Sequence, residues 1–176
     1  MDSTDFTVRE ATTDDIPVLV DYMVDLALHV SGDRRETLTS EARERLILFL
    51  ADCIEDTEKL IVVACESKDE ANRVIGMGNI QIWRSPSLWD EAEAPETLSG
   101  FIDDLWVDPD YRRLGVMDLI LTRLLDYAEQ HRIKELILEY SIANKEAASV
   151  WSKLGFETIG VRSAASVSTV RSRLRN

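Results

Sequence analysis

The chain has 176 residues, 45% apolar and 30% charged, which fits one domain with a sizeable core and the make-up of an ordinary soluble globular protein. A net charge of -13 disfavours a nucleic-acid backbone as partner, no apolar run approaches the roughly 20 residues of a membrane helix, and the acidic stretch Met1 to Thr13 does not read as a signal peptide, so a cytoplasmic location with no membrane partner is expected. Two cysteines, Cys53 and Cys65, make no disulfide framework and read as reduced and buried, while His29 and His131 lack metal-ligand spacing, so no metal site is expected.

Phe6 to Glu10 alternates as a first strand does. Thr13-Asp14-Asp15 then opens a helix that tolerates Pro17 in its first turn and repeats Ile16, Leu19, Val20, Met23, Val24 and Ala27 at helical spacing. After a polar connection, Ser31 to Thr39, a second helix starts at Ser40 with Ala42, Leu46, Phe49, Leu50 and Cys53 on its apolar stripe. Lys59 to Glu66 and Val74 to Trp83 read as a hairpin around the charged turn Ser67 to Arg73. Ser85 to Ser99, with Pro86, Pro95 and several acids, reads as a loop, and Gly100 to Val107 as the next strand, ended by Asp108-Pro109. A helix follows from Gly115 to about Gln130, with Met117, Ile120, Leu121, Leu124 and Ala128 on one face. Lys134 to Tyr140 is a strand, Asn144 to Leu154 a short helix, and Phe156 to Val161 and Ser166 to Leu174 are two final strands. No linker divides the chain, so one α/β (α+β) domain over residues 1–176 is expected.

Chemistry concentrates in Val107-Asp108-Pro109-Asp110-Tyr111-Arg112-Arg113-Leu114-Gly115-Val116. A strand ends, a tight turn follows, and a helix begins at a glycine. Such a helix start leaves backbone N–H groups without intrahelical partners, and they can hold a phosphate with help from the helix dipole. Gly115 permits close approach of the backbone because it has no Cβ, and Arg112 and Arg113 add charge-assisted donors in an otherwise acidic region.

This stretch resembles the acetyl-CoA motif of the GNAT superfamily of N-acetyltransferases, whose signature is Arg or Gln, two residues, Gly, one residue, then Gly or Ala. Arg112 and Gly115 match its first two elements. Asn144, Ala147 and Lys153-Leu154-Gly155-Phe156 resemble the family's C-terminal block, and Phe6 to Asp15 resembles its start. The resemblance implies a mixed, mostly antiparallel sheet of six to seven strands flanked by about four helices. It implies that Leu105, Trp106 and Val107 pair their backbone with the pantetheine arm. It implies too that Arg112, Arg113, Leu114, Gly115, Val116, Met117 and Asp118 wrap the pyrophosphate, and that Asn144 touches the cofactor near a gap between splayed strands. Acetyl-CoA is then a co-substrate, the partner is an amine acceptor, and a homodimer is a common arrangement of look-alikes.

An amine acceptor, mostly protonated at neutral pH, must lose a proton before direct attack on the thioester in a ternary complex. A backbone N–H near Val107 is the expected donor to the oxygen that gains charge. Glu139, placed where related ribosomal-protein acetyltransferases carry a glutamate, is the first-choice base, and Asp103 or Asp104 are further candidates, of which only one can face the cleft if the strand alternates. Two departures stand out. Met117 replaces the motif's last small residue and falls on the helix's apolar stripe, so it reads as core. Trp151 stands where many members place a tyrosine that protonates the leaving thiolate, and it too reads as core. These departures keep open a non-catalytic acyl-CoA-binding sensor of the same fold. A third reading makes Arg171, Arg173 and Arg175 a basic tail for an acidic partner, although a charge-protected edge strand explains them as well.

Overall fold

The structure is a computed structural model in which residues 5–31, 38–67, 72–85, 97–160 and 163–174 are described. The connections expected within Ser31 to Thr39, Ser67 to Arg73 and Ser85 to Ser99, together with Arg162 and Arg175, lie wholly or partly outside the described residues. The chain forms two compact units, Met1–Glu139 and Tyr140–Asn176.

The first unit is built on one sheet of strands β1 (Phe6–Glu10), β2 (Lys59–Glu66), β3 (Val74–Ser85), β4 (Thr97–Val107) and β5 (Glu135–Leu138), in that spatial order. Neighbours are antiparallel except β4 and β5, which run parallel. β2 lies second in this order and is covered on both sides: Leu60 to Cys65 are all buried, which is why it reads as a continuous apolar run rather than an alternating one. Helices α1 (Ile16–Ser31) and α2 (Ser40–Glu55) cover one face, packing Leu19, Val20, Leu50 and Cys53 against Ile61, Val63, Met77 and Trp106. Helix α3 (Val116–Gln130) covers the other, packing Val116, Ile120 and Leu124 against Val62, Ile80, Ile102 and Val107. Two glycines let α3 approach β3: a Cβ at Gly78 would stand 2.5 Å from Ile120 Cγ2, and one at Gly76 3.2 Å from Ile120 Cδ1.

Local chemistry fixes the helix starts. A turn of 3-10 helix at Thr13–Asp15 leads into α1, and its Asp15 accepts two bonds from Arg9 (2.7 and 2.8 Å) and one from the Thr12 N–H (2.8 Å). The Arg9 guanidinium and these hydrogen bonds hold the Asp15 pKa below the usual carboxylate value. Thr39 caps α2 by accepting from the Ala42 N–H at 3.2 Å.

In the second unit, α4 (Lys145–Lys153) ends at Gly155, whose φ of +91° supplies the left-handed turn a helix end favours. The expected strand Phe156 to Val161 is not formed over 156–160, and the expected strand Ser166 to Leu174 is instead helix α5 (Val167–Arg173). Ser166 accepts from the Thr169 N–H at 3.0 Å as an N-cap, and Arg171 and Arg173 sit in the last turn where cations suit the dipole. Val167, Val170 and Leu174 also recur at helical rather than strand spacing, which agrees with these local signals. Among the described residues the sheet therefore has five strands rather than six or seven, and the α-helices number five rather than about four. No described helix is long and apolar enough to cross a membrane.

Candidate active site

The centre of β4 is irregular. Gly78 pairs with Leu105 and Ile80 with Ile102, so the single residue Asn79 faces both Asp103 and Asp104 across a β-bulge. Asn79 Oδ1 accepts from both their N–H groups at 3.3 Å, and its Nδ2 donates to Asp104 Oδ2 at 3.1 Å. This corrects the expectation of strict alternation: the bulge removes the rule that only one of the two aspartates can serve the cleft. It also explains why β5 is shorter than Lys134 to Tyr140. Its ladder with β4 stops at Ile102 and Leu138, directly before the bulge, and β4 runs on to Val107 with β3 as its only strand partner among the described residues.

Glu139 follows β5 immediately and is exposed. Its charge reaches Asp103: burial first, and then Glu139, push the Asp103 pKa up. Burial pushes Asp104 further, to about 6, with the charge of Asp103 adding and the Asn79 hydrogen bond opposing. Asp103 and Asp104 thus lie side by side at the bulge, and the charge of Glu139 acts on Asp103 where β4 and β5 part. Asn79, which holds the bulge, was not anticipated; its one signal is a short polar side chain inside the apolar run Val74 to Trp83.

At the far end of β4 the chain turns into α3. The Asp108 N–H donates to Ile75 O at 2.9 Å, and a 3-10 turn at Pro109–Tyr111 is capped by Asp108, which accepts from the Asp110 N–H at 3.1 Å. Tyr111 anchors the turn with its ring edge-on to Phe6 at 6.2 Å. Arg113 (φ +65°) and Gly115 (φ +84°) are both left-handed. Gly115 is the N-cap residue of α3, and no side chain caps that helix. The first-turn N–H groups of Val116, Met117 and Asp118 thus face the turn, and a Cβ at Gly115 would meet nothing within 4 Å. Val116 is buried and Met117 packs on the α3 core, as its place on the apolar stripe suggests. Arg113, Leu114 and Asp118 are exposed. Asp118 can offer an anion only its N–H, since its carboxylate has the wrong sign.

Arg112 behaves differently from its neighbour. Its Nε donates to Val107 O at 3.1 Å, and its guanidinium lies 4.7 Å from the centre of the Trp106 ring. Trp106 is buried, its Nε1 has no hydrogen-bond partner among the described residues, and the exposed His29 ring stands edge-on to it at 5.7 Å. Leu105 packs toward the α3 core. Asn144 belongs to the second unit, where its Oδ1 accepts from the Ala147 N–H at 3.0 Å and caps α4. Trp151 pairs edge-on with Phe156 at 5.3 Å, a packing role. Trp83 is half exposed beside Phe101, and Trp89 is outside the described residues. No group of three or more metal-ligating side chains occurs among the described residues.

Residues 23–156 match the model of the acetyltransferase (GNAT) family. No curated protein matches the chain by sequence. Solved structures share its fold. A transcriptional regulator from Bacillus halodurans C-125 is 17% identical with a TM-score of 0.71, over 92% of this chain and 99% of that one. A predicted acetyltransferase with acetyl-CoA from Clostridium acetobutylicum is 18% identical with a TM-score of 0.72, over 93% and 97%. An aminoglycoside antibiotic 6'-N-acetyltransferase from Acinetobacter baumannii is 13% identical with a TM-score of 0.67, over 92% and 97%.

Proposed function

The chain belongs to the GNAT acetyltransferase family, and on that premise we propose that it transfers the acetyl group of acetyl-CoA to a primary amine by direct attack while both substrates are bound. The family match runs from residue 23 to residue 156 and so draws on both compact units, which supports reading them as one acetyltransferase domain. The observation that carries the mechanism is the parting of β4 from β5 after Ile102, with three carboxylates at the parting and an uncapped helix start at the end of the same strand.

Acetyl-CoA supplies an activated thioester. The residues present fit such a substrate: Leu105, Trp106 and Val107 lie past the last β4–β5 pair, where the strand has no β5 partner, although the Val107 carbonyl already accepts from Arg112. The N–H groups of Gly115 to Asp118 suit a diphosphate. A β4 N–H near Val107 stabilises charge as it develops on the thioester oxygen.

Asp104 takes the proton. Its pKa of about 6 leaves it mostly ionised at neutral pH yet more basic than a free aspartate, the compromise a general base needs. Asp103 and Glu139 supply negative charge that favours a cationic acceptor, and Glu139 is the second choice for the base. With Trp151 in place of a tyrosine, the thiolate leaves without a motif-placed acid; a thiol pKa near 8.5 makes that tolerable.

The test is release of free thiol from acetyl-CoA with a panel of small cationic amines, amino acids and peptides. Amine-dependent release is expected. Tight coenzyme binding with no turnover across the panel would instead support the acyl-CoA sensor of the same fold.

A further inference from the structure

We infer that Arg112 is a positioning residue, a clamp that shapes the turn between β4 and α3, and that the cationic side chain offered to the diphosphate is Arg113. This deepens the functional reading above and rests on it. The Nε of Arg112 bonds the carbonyl of Val107, five residues back, and so closes the turn on itself. Its guanidinium lies on the indole of Trp106, which is 6% exposed and belongs to the core beneath α1 and α2. Helix α3, whose first turn would hold the anion, packs through Val116 and Ile120 on the opposite face of the sheet. A guanidinium held over Trp106 is therefore directed to the face away from α3.

Arg113 has the complementary properties. It is exposed and lies two residues before the N-cap of α3. Its φ of +65° is a left-handed conformation that a non-glycine residue rarely adopts. Such a residue persists where its neighbours over-determine it. The Arg112 clamp on one side and the buried Val116 on the other do this.

A glutamine at 112 separates clamp from charge, because its Nε2 stands at the same point along the side chain as the arginine Nε, whereas lysine keeps the charge and has no donor there. Coenzyme A affinity by calorimetry, KM for acetyl-CoA and melting temperature are measured for the wild type, Arg112→Gln, Arg112→Lys and Arg113→Gln at low and high salt. Arg112→Gln is expected to bind within about threefold of the wild type and to keep its salt dependence, while Arg112→Lys binds about tenfold or more weakly and Arg113→Gln loses part of the salt dependence. Should the lysine variant bind as well as or better than the glutamine variant, or should Arg112→Gln flatten the salt dependence as Arg113→Gln does, Arg112 touches the phosphate directly and the clamp is overturned. Failure of the wild type to bind coenzyme A is a different result and would sink the acetyl-transfer reading itself.

Discussion

Asp104 carries two opposed consequences. As the proposed base it must be ionised, so kcat/KM should fall as pH drops below about 6. Asp104→Asn should lose that limb and reduce kcat by about 10²–10⁴-fold, with KM for acetyl-CoA nearly unchanged; steady-state rates across pH decide this. Stability should move the other way. A carboxyl whose folded pKa lies above its unfolded value of 3.8 stabilises the fold while protonated, and that contribution is lost as pH rises through about 6. At pH 8 the native aspartate is thus a burden, and Asp104→Asn should gain about 1–3 kcal/mol in chemical denaturation, the amide oxygen still accepting from Asn79. Family resemblance nominated Glu139, and their place on the strand before Val107 nominated Asp103 and Asp104. Neither could reveal that Asp103 and Asp104 lie side by side, because a bulge depends on how β4 lies against β3 and leaves no mark within β4 itself. Nor did the sequence separate Arg112 from Arg113, two identical side chains whose roles differ through backbone angles.

At the level of elements, the approach of α3 to β3 depends on Gly78. Adding one methyl there meets Ile120 Cγ2 at 2.5 Å, and Ile120 is fully buried and cannot yield. Gly78→Ala should cost about 1–3 kcal/mol in denaturant unfolding, and adding Ile120→Leu, which removes the β-branch, should recover part of it. The elements that the sequence marked well are those with strong periodicity or dense burial: α1, α2 and α3, and the hairpin of β2 and β3. The end of the chain was misread. Its apolar residues Val167, Val170 and Leu174 recur at helical spacing, and the Ser166 cap and the C-terminal arginines favour a helix as well. With no residue of either second-unit helix buried, packing provided little to decide between strand and helix in the sequence.

For the whole molecule, the net charge of -13 becomes -17 over residues 1–161, since residues 162–176 hold four arginines and no acids (-13 minus +4). A field of that sign steers cations and is screened by salt. For a cationic acceptor kcat/KM should therefore fall as ionic strength rises, and for a neutral amine it should change far less; initial rates for a charged and a neutral acceptor of similar size compare the two. The most direct measurement is calorimetric titration of the protein with coenzyme A and, separately, with pantetheine, which lacks the diphosphate. Coenzyme A is expected to bind at least about tenfold more tightly than pantetheine, and Gly115→Ala, which puts a Cβ where the anion would lie and strains a φ of +84°, should remove most of that difference. Equal binding of the two ligands, or a difference untouched by Gly115→Ala, would contradict the assignment of the α3 start as the anchor of the coenzyme.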